Sequence, residues 1–183
     1  MPILFFRKKG KEAQRKGGAT LIETLVYIFI LVILLTAVVT AMIAFSRSFR
    51  LLQSGRNVEN SAIDGFERMT REIHDAKSID ISGSTLNSSP GVLLLNTTNA
   101  SGATSTVQFF VTSQTLHVKE NGTDQGALTR SSARVTSLTF QRVTTSLSEA
   151  VKISMTVESG TSTSYKQASF QDTAVLRGSY PLQ

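Results

Sequence analysis

Hydrophobic positions fall into three regimes along the 183 residues. Residues 24–46 form a run of 23 without charge, mostly Leu, Ile, Val, Phe and Ala, with neither Pro nor Gly. At about 1.5 Å per residue a helix of that run spans roughly 34 Å, enough to cross a bilayer core. Its polar members Thr24, Thr36, Thr40 and Ser46 can bond back to carbonyls of the preceding turn without breaking the helix.

The second regime continues the helical period. Phe45, Phe49 and Leu52 prolong it, and Ala62, Phe66, Met69, Ile73 and Ala76 recur three and four residues apart. The opposite face sets Asp64 four before Arg68, Glu67 before Arg71, Arg68 before Glu72 and Arg71 before Asp75, an ion-pair ladder in solvent. The pattern predicts one helix over residues 19–77, close to 90 Å long, apolar all round at first and amphipathic later. Gly55 and Gly65 interrupt it, each marking a bend or a close packing contact.

After residue 78 the chain turns to Ser, Thr, Asn and Gly with short β-branched runs, and strands are expected at 92–96, 104–112, 115–120, 134–143, 150–158 and 164–176. Residues 96–105 read as a polar loop. Val135, Ser137, Thr139 and Gln141 alternate with Thr136, Leu138, Phe140 and Arg142; Val151, Ile153, Met155 and Val157 alternate with Lys152, Ser154, Thr156 and Glu158. Asn121-Gly122 and the stretch 159–162 read as hairpin turns. The fold class is α+β, a long helix packed on an antiparallel sheet with one face on the helix and one in water.

Charge gives the orientation. Arg7, Lys8, Lys9, Lys11, Arg15 and Lys16 precede the apolar run against Glu12 alone, whereas Arg47 and Arg50 follow it. The positive-inside bias places the N-terminus in the cytoplasm and the C-terminal part outside. Taking those six bases and one acid from totals of 19 and 13 leaves 13 against 12, so the formal +6 shrinks to +1. The high isoelectric point therefore argues for no nucleic-acid partner, although Arg130, Arg134 and Arg142 keep DNA open as one. Without Cys there is no disulfide framework in a domain expected outside the cell membrane.

Glu23 stands at the edge of the apolar run, where a carboxylate costs kilocalories unless it reaches water or a partner. It either snorkels to the headgroups or meets a positive charge, such as an α-amine on Ala19 created by cutting after Gly18.

The stretch Gly18-Ala19-Thr20-Leu21-Ile22-Glu23, followed by Leu25-Val26-Tyr27-Ile28 and preceded by a short basic leader, resembles the prepilin signature of type IV pilins and type II secretion pseudopilins. The resemblance implies cleavage between Gly18 and Ala19 by a membrane prepilin peptidase, N-methylation of Ala19, and pairing of Glu23 with the amine of a neighbouring subunit during assembly. Ala19 stands where Phe is more usual, and the apolar run lacks the helix-breaking Pro common in major pilins. The end of the chain, Thr173-Ala174-Val175-Leu176-Arg177-Gly178, with the helical stretch 65–73, resembles the minor pseudopilin J and minor pilin W group. That group often ends its last strand in Val-x-Leu-Arg-Asn, and Gly178 replaces the Asn.

Membership of that family would divide the chain into a leader over 1–18, a transmembrane and filament-core helix over 19–46, its amphipathic continuation over 47–78 and a β-rich outer domain over 79–183. The chain is then expected to be a minor structural subunit that starts or caps a filament. Its partners would be prepilin peptidase, other pilin or pseudopilin subunits, an inner-membrane assembly platform, and lipid before assembly. It would cross the cytoplasmic membrane once before entering a pilus or pseudopilus. The alternative is a membrane-anchored or filament-tip module that binds a surface, a secreted substrate or DNA. An ordinary secretory signal cut near Ala44-Phe45-Ser46 fits less well, since its apolar region should be about 7 to 15 residues. No enzyme is expected: neither a phosphate-cradling loop, a zinc spacing nor a nucleophile elbow is present, His74 has no second His or Cys nearby, and His117 reads as a surface residue of a strand. No cofactor and no metal are expected either.

Overall fold

The computed structural model describes residues 20–99, 101–145 and 148–179. The chain divides into two compact units, Met1–Ile43 and Ala44–Gln183. One helix, α1 (Leu21–Asp75), contributes to both, so the predicted helix over 19–77 is present with slightly later and earlier ends.

In the first unit α1 is apolar on every side and exposed: Leu21, Phe29, Leu34 and Val38 are each more than half exposed. It is the one helix among the described residues long and apolar enough to cross a membrane. Thr24 Oγ1 donates to the Leu21 carbonyl (2.9 Å), Thr36 to Val32 (2.8 Å) and Thr40 to Thr36 (2.9 Å), so these hydroxyls are satisfied within the helix.

In the second unit the same helix becomes one-sided. Ser54, Val58, Ser61, Ala62, Gly65, Met69 and Ile73 are buried at spacings of three and four, while Phe45, Phe49 and Leu52 remain exposed. Phe66 is partly buried against the core, as the apolar stripe predicts. Gly65 is a packing contact and not a bend: a Cβ there would lie 3.1 Å from Leu116 Cδ2 and 3.6 Å from Met155 Cε. Gly55 has nothing within 4 Å of such a Cβ.

The second unit holds two antiparallel sheets where one was expected. The first has five strands in sequence order: β1 (Ser78–Ile79), β2 (Leu93–Thr98), β3 (Thr104–Thr112), β4 (Thr115–Glu120) and β5 (Thr123–Ala127). The second has three: β6 (Ala133–Thr144), β7 (Glu149–Ser159) and β8 (Lys166–Val175). The sheets are stitched where Val135 N donates to Gln114 O (2.7 Å), and where Asn87 N and Gly91 N donate to Phe140 O (2.8 Å) and Leu138 O (2.7 Å). These bonds satisfy part of the free edge of β6. A single core joins α1 to both sheets, with Phe109, Leu116, Phe140 and Met155 among its fully buried side chains.

Four local expectations are corrected. The polar loop at 96–105 shrinks to 99–103, because β2 runs on to Thr98 and pairs Thr98 with Thr104. The turn expected at 159–162 is a longer connection from Gly160 to Tyr165 containing a 3-10 turn at Ser162–Ser164. The simple alternation of β6 breaks at a bulge between Val135 and Ser137, so that Val135, Leu138 and Phe140 are all buried. Of the four predicted helix ion pairs, Arg68–Glu72 forms (2.9 Å), and Arg68 Nη2 also reaches Glu120 of β4 (2.7 Å). Asp64 instead faces Arg130 at 3.7 Å. Burial pushes the Glu72 carboxyl above its ordinary range, against the pull of Arg68.

Candidate functional site

The start of α1 is built from the signature residues. Thr20 stands before the first helical residue, and its Oγ1 accepts from Glu23 N (3.3 Å). The first helical bond runs from Thr24 N to Thr20 O at 3.1 Å. Thr20-Leu21-Ile22-Glu23 has the spacing of a helix-capping sequence, with Glu23 in the first turn, where a negative charge meets the positive end of the helix dipole.

Tyr27, one turn later, donates its hydroxyl to Glu23 Oε1 at 3.1 Å. The carboxylate is thus fixed on the helix flank by a neighbour whose role sequence reading did not assign. The four-residue spacing was the available signal. Gly18 and Ala19, the expected cleavage and methylation positions, lie outside the described residues. What the described residues offer is an oriented carboxylate on an exposed apolar helix, able to accept a hydrogen bond or an ion pair from a cationic group.

The arginines that kept DNA open are each matched by an acid. Arg130 faces Asp64 (3.7 Å), Arg134 Nε reaches Glu158 Oε1 (3.0 Å), and Arg142 Nε bonds to Glu149 Oε1. Arg130 lies in the connection before β6, and Arg134 and Arg142 near opposite ends of β6; each is locally paired, which lowers the free positive potential that phosphate recognition needs.

Neither histidine joins a ligand cluster. His74 Nδ1 lies 2.7 Å from the Val175 carbonyl, tying α1 to β8. His117 Nδ1 is 3.1 Å from Asp124 Oδ2 on the neighbouring strand, and its ring lies 5.6 Å from that of Phe110. The Gly126 backbone N–H, and then His117, hold the Asp124 carboxyl below its ordinary range. Among the described residues no group of three or more His, Cys, Asp or Glu is placed to hold a metal ion.

Gly178, the departure from the J and W pattern, sits against the end of the helix. A Cβ there would lie 2.8 Å from Ala76 O and from Lys77 Cα, so the backbone leaves no room for a side chain.

Comparison of the chain with protein-family models, with curated proteins and with solved structures finds no match.

Proposed function

We propose that the chain is a filament subunit of the type IV pilin and type II secretion pseudopilin class, anchored in the cytoplasmic membrane by the first part of α1 until it is assembled. The observation that carries this reading is the split character of α1. Its first half is apolar all round and exposed among the described residues, while its second half buries one face in a folded domain. Such a surface needs lipid first and neighbouring helices afterwards.

Transfer from lipid to a helix bundle brings little hydrophobic gain, so register and direction need a polar contact. Glu23, held by Tyr27 near the start of that surface, is the group to supply it by meeting the amine of Ala19 in an adjacent subunit. The chain acts as a minor subunit that starts or caps the fibre, and it carries no catalytic role. The local pairing of Arg130, Arg134 and Arg142 leaves the binding-module alternative without a specific feature in its favour.

The test is the mature N-terminus, read by mass spectrometry on protein from membranes of a host with and without prepilin peptidase. A peptidase-dependent start at methylated Ala19 is expected. Glu23→Ala should then leave membrane insertion intact and abolish incorporation into filaments. A start at Met1 or near Arg47 would overturn the reading.

A further inference from the structure

The cations of the outer domain differ in how they are used. Arg68, Arg130, Arg134 and Arg142 are matched by acids, whereas Arg47, Arg50, Arg56, Arg71, Lys77, Lys166 and Arg177 are exposed and without an ion pair among the described residues. Arg47, Arg50 and Arg56 follow the end of the uncharged run at Ser46 within ten residues, and no acid intervenes before Glu59. Basic residues ordinarily gather on the cytoplasmic flank of a span, so three on the outer flank run against the bias.

Their heights are set by the helix. At about 1.5 Å per residue, Arg47 lies about 1.5 Å and Arg50 about 6 Å beyond Ser46, within a headgroup layer roughly 5–8 Å deep. Arg56 is about 15 Å along, but helical side chains tilt toward the N-terminus and a long one reaches back toward that layer.

The fold brings Lys166 to the same place. The Gly160–Tyr165 connection packs on α1 at Ser54, where a Cβ on Gly160 would come within 2.6 Å of Ser54 Oγ, and the next residue is Lys166. Arg56 and Lys166 line a groove of about 410 Å³ with Leu51, Leu52 and Gly55; Glu59 is its lone acid. Two exposed leucines and two cations lining one groove match the junction of a phospholipid, where a phosphodiester meets the start of the acyl chains.

We propose that this end of the outer domain is a contact for anionic phospholipid. Arg47 and Arg50 lie among the headgroups, and Arg56 and Lys166 hold a lipid phosphate over Leu51 and Leu52. The inference rests on the membrane anchor proposed above. It adds that the domain is held against the outer leaflet until assembly lifts it away.

The chain has no Cys, so Thr163→Cys in the exposed connection gives a single site for a fluorophore. The full-length protein is reconstituted in vesicles of phosphatidylcholine, with or without phosphatidylglycerol, and quenching by headgroup-labelled nitroxide lipid is measured. Phosphatidylglycerol should increase quenching, high salt should remove the increase, and R56Q/K166Q should lower the contact population roughly fivefold per cation removed. The conservative pair R56K/K166R should retain it. Quenching independent of lipid charge, or an increase that survives R56Q/K166Q, would overturn the proposal while leaving the anchor intact. Failure of the full chain to float with vesicles would overturn both.

Discussion

Two glycines of α1 make opposite demands on the same helix. At Gly65 a single added carbon would press on Leu116 at 3.1 Å, and the further methyls of a β-branched residue would have to enter the filled space beside Met155. Gly65→Val is therefore expected to destabilise the β-rich domain by about 1–3 kcal/mol, the usual cost of overpacking. Gly55 has open space around it, so Gly55→Ala keeps the geometry and gains helix propensity, up to about 1 kcal/mol. Thermal melts of the two variants in one detergent should shift in opposite directions. A shared sign would mean that α1 does not pack on β4 and β7 at Gly65 as described. Both glycines were visible in the sequence as interruptions, but helical periodicity alone does not show what faces each of them.

At the scale of elements, β6 shows how one extra residue alters a strand. Pairing steps from Val135–Val157 to Ser137–Thr156, which leaves Thr136 as the bulged residue. The inward face is thereby handed from odd to even positions, and Val135 (3% exposed) and Leu138 (0%) both enter the core. Val135→Ala and Leu138→Ala should each lower stability as core truncations do, the leucine by about 2–5 kcal/mol. In an unbroken strand the two side chains would point to opposite faces, and one replacement would cost within about 0.5 kcal/mol. Denaturant titration of the pair distinguishes the two arrangements.

The same strand marks where legibility ends. β7 was readable because Val151, Ile153, Met155 and Val157 alternate without a break and are all buried. The Asn121-Gly122 turn was readable because both residues adopt positive φ, 49° and 80°, which Asn tolerates and Gly, lacking a Cβ, adopts freely. The neighbouring turn at Ser113 and Gln114 uses positive φ at both positions with neither Gly nor Asn. β5 was missed because Thr-Asp-Gln-Gly-Ala is an exposed edge strand with no apolar face. The split into two sheets rests on β5 and β6 not pairing although they are neighbours in sequence, which local pattern does not encode. At the candidate site, Glu23 was evident as a lone acid beside an apolar run, while its bond to Tyr27 required knowing that both share a helix flank.

For the whole molecule, the decisive contrast is between a helix whose first part is exposed and a body that buries its own core. From Leu21 to Leu52 the large apolar side chains of α1 are exposed, whereas Ser54 opens the series of positions buried against the sheets. The domain should therefore keep its fold when the first part of the helix is cut away, because none of the core residues precedes Val58. A fragment of residues 53–183 is expected to be soluble without detergent, monomeric, and to melt in one cooperative transition. Its Met155→Ala variant should melt lower, as truncation of a fully buried side chain requires. A fragment beginning at residue 20 should need detergent or lipid, since it exposes an apolar surface far larger than soluble monomers carry. Analytical ultracentrifugation and melting of the two fragments test this together. If the shorter one aggregates or melts without cooperativity, the apolar half of α1 contributes to the fold of the domain. Its exposure would then no longer mark it as a surface reserved for lipid and for other subunits.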